Sequence, residues 1–131
     1  MISQTSIYAF RALGYLARQA PERLISSKEI SDSTGVPNRY LSKILRSLTV
    51  KGILSAQRGT GGGFRIAVPL GSVNLKQVIE HIEDFTVTSH CLLGQGKCAE
   101  ESPCALHDRW KDLVDHYQKF LLDTTIENLK H

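Results

Sequence analysis

The chain has 131 residues, of which 41% are apolar and 22% charged, and a formal net charge of +3. That length suits one domain with a small core. No apolar run approaches the ~20 residues of a membrane span, and the opening Met1-Ile2-Ser3-Gln4-Thr5-Ser6 lacks the basic and apolar regions of a secretory signal. A cytoplasmic protein with no membrane partner is therefore expected. The three cysteines all lie between positions 91 and 104. An odd count in a reducing compartment argues against structural disulfides and for metal or redox chemistry.

Charge is unevenly placed. Between Ser33 and Ile79 there are seven bases, Arg39, Lys43, Arg46, Lys51, Arg58, Arg65 and Lys76, and no acid, whereas from Glu80 to His131 ten acids face five bases. Such asymmetry suggests a half that faces nucleic acid and a half with another task.

Residues 4–19 carry Ile7, Phe10, Leu13, Leu16 and Ala17 near helical spacing, with Gly14 in the same stripe. Thr5 or Ser6 is expected to cap this helix and Pro21 to stop it. Leu24-Ile25 reads as a short strand or a staple. Ser26 followed by Glu29 is a capping box and predicts a short helix to about Thr34. Gly35 supplies a turn. Pro37 and Asn38 open the next helix, which buries Leu41, Ile44, Leu45 and Leu48 and ends near Lys51 before Gly52. Two short helices about a glycine turn make a helix-turn-helix. Asn38, Arg39, Tyr40, Ser42, Lys43 and Arg46 lie outside the apolar stripe of the second helix and are donors suited to phosphates and base edges.

Residues 53–57 and 64–68 alternate like two strands about Arg58-Gly59-Thr60-Gly61-Gly62-Gly63. A hairpin directly after a recognition helix is a wing. Arg58 is expected to enter a minor groove, with Gly59, Thr60 and Gly61 approaching the duplex closely. This glycine run is not a nucleotide-phosphate loop, because no Gly-Lys-Ser/Thr follows and no helix opens after it. Asn74 and Gln77 form another capping box, predicting a helix to about Glu83 with Leu75, Val78, Ile79 and Ile82 inward.

Ser102-Pro103 reads as the start of a helix of about 25 residues, too long to stand without a packing partner. Leu106, Trp110, Leu113, Tyr117, Phe120 and Thr124 follow alternating four- and three-residue intervals, the seam of a coiled coil, which Val114 and Leu121 widen. This helix is expected to pair with its mate in a homodimer, the alternative being a fold back over its own domain. The expected architecture is mainly α with a small β wing: a winged helix-turn-helix over 1–83, a cysteine loop over 84–105, and a dimerisation helix over 106–131 to which the first helix contributes.

The cysteine loop has the spacing Cys91-x6-Cys98-x5-Cys104-x2-His107. Thiolates suit zinc, copper(I) and iron–sulfur centres. The gaps exceed the close pairs common in structural zinc sites and fit a larger inorganic core. A two-iron cluster needs four ligands. His107 is the fourth, on the same helical turn as Cys104, with His90 in reserve. A zinc or thiol-oxidation regulator of the same fold is an alternative, as is a cluster-binding interaction protein that binds no DNA. No nucleophile elbow or catalytic carboxylate pair is visible, so neither an enzyme nor a small-molecule substrate is expected.

Tyr8-Ala9, Tyr40-Leu41, Arg58-Gly-x-Gly-Gly-Gly-Phe64 and the Cys-x6-Cys-x5-Cys-x2-His-x2-Trp110 run together resemble the IscR-like family of bacterial winged-helix repressors over nearly the whole chain. The resemblance implies a homodimeric repressor of transcription that binds a double-stranded operator. Its 2Fe–2S cluster would sit on three Cys and one His and report iron–sulfur supply or oxidative and nitrosative stress. Nitric-oxide-sensing members carry a 4Fe–4S cluster, the alternative here, in some cases with an Asp from the partner's first helix. Ile7 occupies that region in this chain, and no carboxylate precedes Glu22. Two departures stand out: the first cysteine gap has six residues where the family typically has five, and Ser42 replaces a Glu that tunes operator choice. The mechanism implied is that cluster assembly orders the 91–107 loop and shifts the two DNA-reading units between two dimer states.

Overall fold

The computed structural model describes residues 2–83, 92–93 and 103–130. Helix α1 (Gln4–Ala17) starts where the spacing suggests, but its cap is Ser3 rather than Thr5 or Ser6: the Ser3 hydroxyl accepts from the Ser6 amide at 3.1 Å. Ser6 is fully buried within the helix, and its own hydroxyl donates to Glu83. The helix stops at Ala17, since the Arg18 and Gln19 amides turn back onto the Tyr15 and Leu16 carbonyls.

Helix α2 (Ser27–Thr34) is capped by Ser26, whose hydroxyl accepts from the Glu29 amide, and it ends on Gly35 at φ 75°. Helix α3 (Asn38–Val50) follows Pro37 and buries Leu41, Ile44, Leu45 and Leu48. These side chains meet Leu13 of α1 and Ile30 of α2 in the main core. Full burial of one such aliphatic is worth ~1.5–3 kcal/mol, which is what holds the helix-turn-helix onto α1.

Strands β1 (Leu54–Gln57) and β2 (Gly63–Ile66) pair antiparallel with Leu54 opposite Ile66 and Gln57 opposite Gly63. The wing is anchored by a one-residue bridge rather than a third strand. The Ile25 amide donates to the Phe64 carbonyl at 2.9 Å, and the Phe64 amide donates back at 2.8 Å. This close approach needs Gly63, where φ is +152° and a Cβ would lie 2.4 Å from the Ile25 carbonyl oxygen. A 3-10 turn (Leu70–Ser72) leads to α4 (Leu75–Ile82), which opens on the expected reciprocal Asn74–Gln77 box, both bonds 2.9 Å.

The C-terminal helix differs from expectation at both ends. Pro103 and Cys104 precede it, a turn closed by the His107 amide on the Cys104 carbonyl intervenes, and α5 spans His107–Asp123. At the other end the expected single helix breaks. Thr124 is extended, its carbonyl accepts from the Leu75 amide at 2.9 Å, and the Ile126 amide donates to the Val73 carbonyl at 3.1 Å. Backbone pairing with the 73–75 segment thus competes successfully with helix continuation at two β-branched threonines, which have weak helix propensity. A second short helix, α6 (Ile126–Leu129), opens with a Thr125–Asn128 capping box. It returns over α1 so closely that a Cβ on Gly14 would lie 3.0 Å from the Leu129 carbonyl oxygen.

Candidate nucleic-acid interface and ligand loop

Helix α3 separates its surfaces by periodicity. Asn38, Arg39, Ser42, Lys43 and Arg46 are all exposed, opposite the buried Leu41, Ile44, Leu45 and Leu48. Among the described residues the salt bridges join Arg23 to Glu29, Lys28 to Asp32 and Lys76 to Glu80. Arg39, Lys43, Arg46 and Arg58 enter none of them, so their charges remain uncompensated by ion pairs there. Arg58, Gly59, Thr60 and Gly61 are exposed at the wing tip, which places the second basic element beyond the end of the hairpin ladder.

Tyr40 has a different surrounding from its five expected neighbours. It is half-buried, and its ring meets Tyr8 of α1 edge-on at a centroid distance of 5.2 Å. The Arg39 guanidinium lies 4.9 Å from the Tyr40 ring and that of Arg11 lies 5.7 Å from Tyr8. Each such contact is worth ~0.5–1 kcal/mol at an exposed site. The aromatic pair ties the recognition helix to α1 and limits the freedom of two arginines. Arg11 was not legible as part of this group. Its three-residue spacing from Tyr8 was the available signal, but the link to Tyr40 is tertiary.

Of the four candidate ligands, Cys91 and Cys98 lie outside the described residues, as does His90. Cys104 and His107 are described and close together at the start of α5. Cys104 is half-buried, His107 is 7% exposed, and both line a cavity of about 310 Å³ with Asp108 and Lys111. Burial of an imidazole so near a thiol, on a helix that is otherwise mostly exposed, is a fitting donor arrangement for a soft metal centre. Among the described residues no group of three or more His, Cys, Asp or Glu side chains is gathered as a metal site, and of the four expected ligands only Cys104 and His107 are seen, side by side on one cavity.

Helix α5 divides the expected seam in two. Val114 and Leu121 are buried, and Leu121 joins Leu75 and Ile79 of α4, with Tyr117 packed beside them. Leu121 thus belongs to the core of its own chain, a correction to its expected place on a dimer face. Leu106, Leu113 and Phe120 remain exposed, and Trp110 and Tyr117 are half-buried.

One further cluster had no sequence signal. Glu83, the last described residue before the cysteine loop, accepts hydrogen bonds from the Ser3 and Ser6 hydroxyls at 2.8 and 2.9 Å. The Tyr117 hydroxyl is buried near it, and its pKa is raised above 10.0, first by burial and then by the Glu83 carboxylate. Residues from α1, α4 and α5, far apart in sequence, meet here.

Comparison with known proteins agrees with this arrangement. A protein of Aquifex aeolicus (strain VF5), named as an HTH-type transcriptional regulator, is 33% identical over 131 residues, covering 98% of this chain and 90% of its own. The HTH-type transcriptional regulator IscR of Enterobacter sp. (strain 638) is 29% identical over 122 residues, covering 93% and 74%. Among solved structures, CymR, the global cysteine regulator of B. subtilis, superposes with a TM-score of 0.81 at 22% identity, covering 98% of this chain and 95% of that one. IscR of T. potens gives 0.73 at 21%, covering 98% and 85%. The family of iron-dependent transcriptional regulators called Rrf2 matches residues 2–131. A winged helix-turn-helix with an unpaired basic face, matched to that family along its full span, is a DNA-binding transcriptional regulator and not an enzyme: the chain belongs to the Rrf2 family.

Proposed function

We propose that this regulator is a homodimeric repressor whose hold on DNA is set by an iron–sulfur cluster carried on Cys91, Cys98, Cys104 and His107, with 2Fe–2S the assignment and 4Fe–4S the alternative nuclearity. The observation that carries the reading is the pairing of Cys104 with a buried His107 on one cavity at the start of α5. When bound, such a cluster supplies a redox-sensitive, labile core whose presence follows iron–sulfur supply and oxidative or nitrosative stress. The protein's own residues do the rest. Cys104 and His107 fix one end of the loop to α5, while Glu83 ties its other end to α1 through Ser3 and Ser6. Asn38, Arg39, Ser42, Lys43 and Arg46 address the major groove, with Tyr40 holding Arg39 in place. Arg58, Gly59, Thr60 and Gly61 address the flanking minor groove. Leu106, Trp110, Leu113 and Phe120 face the second protomer, whereas Tyr117, like Leu121, packs against its own chain.

The test is anaerobic purification with iron and sulfide counts. The expected protein is reddish-brown, and its visible absorption disappears in Cys98→Ser and weakens or shifts in His107→Ala. Colourless protein with stoichiometric zinc would overturn the cluster and favour zinc or thiol chemistry on the same fold. Retention of the native spectrum in His107→Ala would remove that residue from the ligand set.

A further inference from the structure

The outer face of α3 carries Arg39, Lys43, Arg46 and Val50 at four-, three- and four-residue steps, so the four lie on one stripe. Three are cations. The fourth, Val50, is 74% exposed, the most exposed large apolar residue among those described. One exposed valine alone would carry no meaning. This one borders a groove of about 300 Å³ between α2, α3 and the wing, lined also by Ser27, Ser42, Arg46, Thr49, Ala56 and Phe64. Thr49 donates its hydroxyl proton to the Leu45 carbonyl at 2.7 Å, so it has no donor left for a base edge. Ala56 is exposed and sits opposite Phe64 in the hairpin. The groove is thus a mainly apolar recess with Ser27, Ser42 and Arg46 as its polar lining, continuous with the basic stripe.

Continuity with that stripe decides what the recess takes. In the major groove thymine alone presents a methyl group, on C5, where cytosine has only a hydrogen. An apolar peptide would find the cationic rim of Arg39, Lys43 and Arg46 beside it of no use, whereas a duplex needs it. We infer that the Thr49–Val50–Ala56 recess receives the C5-methyl group of an operator thymine and makes Val50 and Ala56 specificity determinants, with Ser42 and Arg46 as the adjoining polar readers. This inference rests on the DNA-binding reading above and names the base class that this face selects.

The experiment begins by selecting bound duplexes from a random double-stranded library with the intact protein. Each thymine of a selected duplex is then replaced singly by uracil, which deletes the C5-methyl and leaves base pairing intact. Dissociation constants are measured by fluorescence anisotropy for the unaltered protein, for Val50→Ser and for Ala56→Ser. Both substituted positions are exposed, so the fold is expected to survive, and the melting temperature checks this. At one thymine per half-site, replacement should weaken binding by about fourfold, the factor corresponding to ~0.8 kcal/mol for one buried methyl. The same replacement should cost less than about twofold in Val50→Ser, with Ala56→Ser intermediate. Neutral uracil replacement at every position, a loss that persists undiminished in both variants, or selected duplexes with no common thymine would each overturn the inference while leaving the regulator reading intact. Failure to select any duplex would overturn the DNA-binding reading itself, and this inference with it.

Discussion

Replacing Leu113 and Phe120 by alanine tests whether α5 has a second face that belongs to another protomer. In the isolated chain these residues remain 52% and 51% exposed, whereas Val114 and Leu121 are buried against the chain's own core. Full burial of a large apolar side chain is worth ~1.5–3 kcal/mol, so covering the exposed half of each contributes roughly 1 kcal/mol. A two-fold interface contains every residue twice, giving ~2 kcal/mol for each substitution and ~4 kcal/mol for the pair. That corresponds to about a thousandfold increase in the dimer dissociation constant. Sedimentation equilibrium over a wide range of loading concentration measures it directly. The control is Leu121→Ala, which opens a cavity between α4 and α5 and should cost ~3–5 kcal/mol of folding stability. The reasoning fails if the Leu113→Ala/Phe120→Ala protein dimerises as tightly as the unaltered one. It fails equally if that protein loses folding stability on the scale of Leu121→Ala, since the exposed stripe would then be part of the monomer's core.

Three other outcomes follow from particular contacts. Gly63→Ala should detach the wing from Ile25, because its Cβ would meet the Ile25 carbonyl oxygen at 2.4 Å. Losing two backbone bonds worth ~1 kcal/mol each should lower the melting temperature and speed hydrogen exchange at Ile25 and Phe64; unchanged exchange there would refute it. Tyr117 has its pKa raised above 10.0 in the folded chain, so the associated stability is present below pH 10.0 and is lost as pH rises through the higher folded value. Melting temperature should therefore fall more steeply as pH rises past 10.0 in the unaltered protein than in Tyr117→Phe, and parallel curves would be the contrary result. Lys43→Ala and Arg58→Ala should each weaken DNA binding and reduce the slope of log affinity against log salt by about 1. A slope unchanged in both would show that neither side chain neutralises a phosphate.

Much of the DNA-binding half was readable because its signals are local. A serine three residues ahead of a glutamate, an asparagine three ahead of a glutamine, and apolar residues at helical spacing specify caps and faces within one or two turns. The helix-turn-helix, the hairpin and the α4 cap accordingly lie where the residues suggest. The terminal helix was misjudged for the opposite reason. Its heptad pattern is real, yet Thr124 and Thr125 leave the helix to pair with residues 73–75, and no local pattern announces a partner some fifty positions away. The a/d spacing likewise could not assign Leu121 to the chain's own core and Phe120 to its surface, because adjacent positions on a broad apolar stripe differ only in what the rest of the fold places beside them.

The candidate site divides along the same line. Residue order by itself determined which side chains of α3 point away from the core, that a glycine-rich tip carries Arg58 beyond them, and that the soft ligands fall in one short window. Only the tertiary structure decided that Tyr40 is a support for Arg39 resting on Tyr8, that His107 is buried beside Cys104, and that Glu83 gathers Ser3, Ser6 and Tyr117 where the cysteine loop departs. The physical reason is range. Periodicity and capping are settled by neighbours three or four residues away, whereas burial and the meeting of distant polar groups depend on how α1, α4 and α5 pack, which the chain specifies only through its whole core.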